Sequence, residues 1–256
     1  MIDLFGLKDK VALVTGGSGG LGSVIALGLV KAGAKIAIAD ISDYGGTISE
    51  VKKLGREAVG LKVDVTNKEE VKKTVQRVLK KFGRIDILLN CAGIFRKGAS
   101  EDLEEDDWDK TIAVNLKGTF LCAQAVGRQM IKQKSGSIIN IASVAGQFAF
   151  QHYASNSSAY NASKAGVILL TKTLAAEWGK YNIRVNVICP GIFRTKMTTI
   201  LLEDKKYVQM MKKRVPLGRV GEPKELVGTV IYLASEASDY VTGQALFVDG
   251  GWSATL

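Results

Sequence analysis

Short apolar runs alternate along the chain with longer segments in which apolar residues recur every three or four positions. VALVT (Val11–Thr15), KIAIA ending at Ala39, AVGLKV reaching Val63, IDILLN ending at Asn90, SIINIA (Ser137–Ala142), IRVNVI and a final ALFVD are mostly apolar throughout. Runs of that kind, without alternation, belong to strands buried on both faces. Between them Leu21–Lys31, Ile48–Leu54 and Lys68–Phe82 read as helices, the last with Val71, Val75, Val78 and Phe82 along one side. Helical patterns flank SIINIA, and Ser158–Tyr181 reads as one long helix. Repeated strand–helix units predict an α/β fold, a doubly wound parallel sheet with right-handed crossovers and helices on both faces. The chain has three prolines and no Pro/Gly-rich linker or internal repeat, so residues 1–256 are expected to form a single domain.

Composition narrows the functional classes. With 256 residues and 46% hydrophobic content the chain can bury one sizeable core. No apolar run reaches the roughly 18 residues of a membrane span. The start, MIDLFGLKDK, mixes acids and bases and lacks the apolar stretch of a signal peptide. Cys91, Cys122 and Cys189 are an odd, scattered set, and His152 is the one histidine, so neither a disulfide framework nor a metal site is suggested. A soluble, cytoplasmic protein is expected. The net charge of +10 would suit nucleic acid or an anionic small molecule. Its bases, however, are dispersed as doublets such as Lys72-Lys73 and Lys212-Lys213, several beside acids in helical segments. Solvated helix faces account for them, and no nucleic-acid or membrane partner is expected.

TGGSGGLG (Thr15–Gly22) directly follows the first strand and opens a helix. Glycines there allow a tight turn and close approach of backbone to a pyrophosphate, and the helix start offers free N–H groups. The second strand ends in Asp40, about 20 residues on, where a carboxylate can accept both hydroxyls of an adenosine ribose and would repel a 2′-phosphate. Residue 41 is Ile, and Ser18-Gly19 in the loop carries no base. NAD is therefore the expected cofactor. Further along, SSAYNASKAG places Tyr160 and Lys164 four residues apart among small residues. A free phenol has a pKa near 10. An ammonium one helical turn away favours the phenolate, and a pKa drawn toward working pH is what general acid–base chemistry needs.

Taken together, these residues resemble the short-chain dehydrogenase/reductase family over essentially the whole chain. TGGSGGLG matches TGxxxGxG. Asp64 in VDVT matches the acid near the adenine. Asn90–Gly93, NCAG, matches NNAG with Cys91 in place of the second Asn, and Pro190–Thr195, PGIFRT, matches the segment touching the nicotinamide end. The resemblance implies a Rossmann-type fold and a catalytic set of Asn115, Ser143, Tyr160 and Lys164. In that set Tyr160 moves the proton, Ser143 hydrogen-bonds the substrate oxygen, Lys164 holds the ribose hydroxyls and tunes Tyr160, and Asn115 anchors a water leading to solvent. It implies cofactor contacts from Gly16, Ser18, Gly20, Leu21, Gly22, Asp40, Asp64, Val65, Asn90, Gly93, Tyr160, Lys164, Pro190, Gly191, Ile192 and Thr195. The look is closest to gluconate 5-dehydrogenases and related sugar-acid and polyol dehydrogenases, with 3-oxoacyl carrier-protein reductases as the alternative. A non-catalytic dinucleotide-binding regulator is the other class, and it should have lost part of the catalytic set. The interval from Ser143 to Tyr160 is longer than in most relatives and would border the substrate; within it His152 reads equally as a substrate ligand or a loop residue. Arg96 and Arg194 are candidates to grip a substrate carboxylate. A homotetramer is the family's habit and the expectation here.

Overall fold

Each apolar run becomes a strand because it is covered on two sides. The computed structural model describes residues 3–149 and 158–255. Its strands are β1 (Val11–Thr15), β2 (Lys35–Asp40), β3 (Ala58–Lys62), β4 (Ile87–Asn90), β5 (Gly136–Ile141), β6 (Ile183–Pro190) and β7 (Ala245–Val248). They form one sheet in the order β3-β2-β1-β4-β5-β6-β7, and every pairing is parallel. All residues of β1 and β4 are buried, whereas the edge strands β3 and β7 are largely half-buried. Helices α1 (Gly20–Lys31), α2 (Gly45–Lys53) and α9 (Val227–Ala234) cover one face, where Ile25, Leu29, Val51, Val230 and Leu233 join a single apolar cluster. Helices α3 (Lys68–Phe82), α5 (Thr119–Gln133) and α6 (Ser158–Trp178) cover the other with Val71, Val78, Val126, Met130 and Leu174. α4 (Glu105–Ile112) leads into α5, and α7 (Thr199–Glu203) and α8 (Lys205–Arg214) lie in the long connection after β6.

Strand order reverses at β1, which has β2 on one side and β4 on the other. Connections leave in opposite directions there, and a crevice opens at the carboxyl ends of the strands. The register places Thr15 level with Ala39 and with Asn90, so the three segments that follow these strands begin at one rim.

β2 ends at Asp40, as the sequence reading has it, and the Asp40 carbonyl accepts from Val63 N at 2.9 Å. Other element ends differ from the periodicity by a few residues. α6 stops at Trp178 and tightens into a 3₁₀ turn, Gly179–Tyr181, before Asn182 turns left-handed at φ 58°. Between α4 and α5 the helix widens into a π segment, Ala113–Gly118, that the sequence pattern does not announce. His152 and the rest of residues 150–157 lie outside the described residues.

Candidate active site

A cleft of about 630 Å³ opens at the strand rim. One wall is the glycine loop and the start of α1. A Cβ on Gly16, whose φ is +68°, would sit 2.7 Å from Ala92 N, and one on Gly22 would sit 2.1 Å from the Gly16 carbonyl. Those glycines let backbone segments touch. Gly19 and Gly20 do the opposite: nothing lies within 4 Å of a Cβ built on either. α1 starts with no side-chain cap and no acid in its first turn. Its orphan N–H groups thus meet open space that a pyrophosphate can occupy. Asp40 closes this wall. Its carboxylate accepts from Ser18 N and from Ser42 N, each at 2.9 Å, and so ties the loop to the end of β2. Asp64 and Val65 line the same region, and Asp64 is steadied by Thr66, whose N–H and hydroxyl both donate to it at 2.8 Å. These residues fit a dinucleotide.

The opposite end of the cleft carries the titratable groups. Ser143 follows β5, and its hydroxyl accepts from Ala145 N at 3.1 Å. Tyr160 and Lys164 stand on α6; the Lys164 Nζ donates to the Ile141 carbonyl at 2.8 Å and lies 5.6 Å from the centre of the Tyr160 ring. Burial pushes the Tyr160 phenol up to about 12, against a hydrogen bond with Ser143 that pulls it down. Burial likewise brings Lys164 down to about 8. Burial thus opposes the pull toward the phenolate expected from the ammonium and from an oxidised nicotinamide. In a dry site both charged forms lose hydration, and for each of the two groups that loss is the largest influence.

Asn115 is fully buried in the π segment. Its Oδ1 accepts from Ile94 N at 2.8 Å, and its Nδ2 donates to the Ile94 carbonyl and the Ser163 hydroxyl at 3.0 and 3.1 Å. The Thr119 hydroxyl also donates to the Asn115 carbonyl, at 2.7 Å. The local widening of the helix is thus tied to the loop after β4. A Cβ on Gly93 would lie 3.3 Å from Asn115 Oδ1 and 3.5 Å from Lys164 Nζ, so this glycine keeps asparagine and lysine close.

Of the residues expected at the site, Ser18, Leu21, Pro190, Gly191 and Thr195 also line the cleft. Asn90 does not. It is buried beneath, donating to Asn140 Oδ1 at 2.9 Å across to β5 and braced against the Thr119 carbonyl. Ile192 packs with Tyr207, Met211 and Trp252, and its neighbour Phe193 lines the cleft instead. Arg96 and Arg194 are both outside the cleft lining and already hold carboxylates, Asp107 at 3.6 Å and Glu222 at 3.1 Å. Three neighbours carried no signal in the sequence: Phe95, edge-on to the Tyr160 ring at 5.3 Å; Ser163, which supports Asn115; and Lys196, on the cleft wall beyond Thr195.

Residues 16–253 match the family model described as enoyl-(acyl carrier protein) reductase. The 5-keto-D-gluconate 5-reductase of Escherichia coli (strain K12) is 41% identical over 254 residues, 98% of each chain. The chain belongs to the short-chain dehydrogenase/reductase family. Other relatives in this family differ in name. A 3-oxoacyl-(acyl-carrier-protein) reductase of Thermotoga maritima is 42% identical over 96% of this chain and 98% of its own. The crystal structure of a gluconate 5-dehydrogenase from Burkholderia cenocepacia, in complex with NADP and tartrate, is 39% identical, covers 99% of both chains and superposes with a TM-score of 0.95. Members of the family bind a nicotinamide dinucleotide and act on CH–OH groups.

Proposed function

We propose that the protein transfers a hydride between NAD and a secondary hydroxyl or ketone of a sugar acid or polyol. The observation that carries the cofactor choice is Asp40. Its carboxylate is fixed at the cleft wall by two backbone donors, and the next residues, Ile41 and Ser42, line the cleft without offering a base. A 2′-phosphate placed there would face a held negative charge. The name of the Escherichia coli relative supports the substrate class.

Tyr160, Ser143, Lys164 and Asn115 carry the chemistry in this reading. The nicotinamide supplies a hydride acceptor or donor. Tyr160 holds or takes the proton at the substrate oxygen, and the Ser143 hydroxyl hydrogen-bonds that oxygen while charge develops on it. Lys164 reaches the ribose, and Asn115 keeps the loop after β4 at its distance from that lysine. Neutral phenol, favoured by burial, suits proton donation to a ketone. Phe95 and Phe193 give apolar walls around the reacting atoms. We assign Asn90 and Ile192 to supporting the cofactor site from behind rather than touching it. A homotetramer in the cytoplasm completes the proposal, the exposed Phe120 of α5 and Leu169 of α6 being its contact residues.

A panel of sugar acids, polyols and 3-oxoacyl thioesters, each with NAD(H) and NADP(H) and followed by nicotinamide absorbance, tests the proposal. Turnover of a sugar acid or polyol with NAD(H) is expected. Activity confined to acyl thioesters with NADPH would overturn it in favour of the reductase reading that the Thermotoga relative suggests.

A further inference from the structure

The glycine-loop wall of the cleft contains no cation, and its charged side chains, Asp40 and Asp64, are both acidic. A pyrophosphate seated there would have only backbone N–H groups on its own side. Three lysines line the remainder of the cleft: Lys110, Lys164 and Lys196. Lys110 is paired with Asp106 one turn away on α4. Lys164 is buried and donates to the Ile141 carbonyl. Lys196 is exposed at the cleft wall and, among the described residues, makes no ion pair.

Its backbone is held firmly. Lys196 begins a 3₁₀ turn closed by a reciprocal cap between Thr195 and Thr198, with Thr195 N donating to the Thr198 hydroxyl at 3.0 Å. The Thr198 hydroxyl in turn donates to the Phe193 carbonyl at 2.6 Å. The stem below is clamped: Arg194 N donates to the Gly221 carbonyl and Gly221 N to the Ile192 carbonyl, both at 2.9 Å, beside the Arg194–Glu222 ion pair. A fixed stem with a solvated ammonium at its tip is preorganised for an anion entering the cleft.

We propose that Lys196 is the anion-binding residue for the dinucleotide, its ammonium pairing with the pyrophosphate from the turn after Thr195. Arg194 is then a positioning residue that keeps the stem in place. The assignment needs only dinucleotide binding, so it stands apart from the choice of substrate and of NAD over NADP.

Lys196→Met keeps an unbranched side chain one atom shorter and removes the charge. Binding of NADH by fluorescence titration, and of ADP-ribose and adenosine by competition, separates the roles. NADH and ADP-ribose should each bind about tenfold more weakly to Lys196→Met, a loss of about 1.4 kcal/mol. Adenosine, which has no pyrophosphate, should be unaffected. The decline of NADH affinity with added salt should flatten, and Lys196→Arg should restore most of the affinity. An unchanged dissociation constant for NADH overturns the assignment; a raised KM for an anionic substrate with NADH binding intact would move the lysine to the substrate and overturn it equally. Equal weakening of adenosine would show a general disturbance of the cleft and also overturn it.

Discussion

Tyr160 and Lys164 present a phenol held neutral and an amine close to losing its proton, and this pairing gives the two reaction directions different pH demands. Burial places the phenol at about 12 and the ammonium at about 8. Reduction consumes a proton from a phenol that is already protonated at neutral pH, so its rate should hold steady through neutrality and fall toward alkaline pH. Oxidation needs the phenol to give up its proton first, so its rate should climb as pH rises. The residual rates of Tyr160→Phe should lose that contrast while falling about a hundredfold to ten-thousandfold, with dinucleotide binding retained; near-normal turnover in this variant would refute the role given to the phenol. Asp40 acts at the same scale. A preference for NAD of at least roughly a hundredfold in kcat/KM is expected, since each 1.4 kcal/mol of charge repulsion is about tenfold. Asp40→Ser with Ile41→Arg should narrow or reverse it, because the repulsion goes and a phosphate partner arrives. Equal efficiency with NADP in the natural chain would remove Asp40 from that role. The spacing of Tyr160 and Lys164, the glycines and Asp40 could be read from the sequence because each chemistry demands one residue type at one distance. Where Arg96 and Arg194 point could not be read from the sequence, because their partners Asp107 and Glu222 come from other turns of the chain. Phe95 and Lys196 were illegible for the converse reason: an aromatic or a lysine after a motif is ordinary until folding sets the one against Tyr160 and the other on the cleft wall.

Strand interiors were legible because burial on both faces allows only apolar residues, as in β1 and β4. Helix ends were less so, because partners far away set them. The π segment shows this most clearly. AVNLKG reads as plain helix, yet the Asn115 side chain bonds both the N–H and the carbonyl of Ile94 in the loop after β4, and the Thr119 hydroxyl donates to the Asn115 carbonyl. The loop that opens α1 makes a similar distinction testable between two glycines of one motif. In Gly22→Ala the new Cβ meets the Gly16 carbonyl at 2.1 Å, and backbone must move. Overpacking of this kind costs about 1–3 kcal/mol, so the melting temperature should drop by several degrees, at about 2–4 °C per kcal/mol for a chain of this size. In Gly19→Ala the Cβ meets nothing, and Gly19 has the extended φ of −168° that any residue adopts. That variant should melt like the natural protein but bind NADH more weakly, its methyl group intruding on the space at the start of α1. Calorimetry and NADH titration of both variants check the contrast, and a shared stability loss would deny that the two glycines serve different purposes.

Across the whole molecule, the apolar surface left exposed bears on assembly. Leu169 on α6 is 66% exposed and Phe120 on α5 is 38% exposed, although both helices bury their other sides against the same face of the sheet. Trp108 of α4, the helix that runs into α5, is 39% exposed. Large apolar side chains on neighbouring helices are a cost in water, and covering one of them against a second copy gains about 1.5–3 kcal/mol. Charge works the other way. A net charge of +10 on each chain opposes association, but exposed charges more than about 8 to 10 Å apart are largely screened at ordinary salt, whereas apolar contact is not. Contact between the α5–α6 faces should therefore prevail and pair two copies; if a second contact completes the proposed homotetramer, light scattering should give a mass four times the 27.5 kDa of one chain. Leu169→Glu places an unpaired carboxylate where the contact should be dry. It should lower the measured mass, and the loss should be greatest in dilute solution, where mass action favours smaller species. Because α6 also carries Tyr160 and Lys164, any splaying of that helix on dissociation would reach the site, so turnover should fall together with mass. A natural chain that is monomeric at micromolar concentration, or a Leu169→Glu variant with unchanged mass, would show that this face is not the contact.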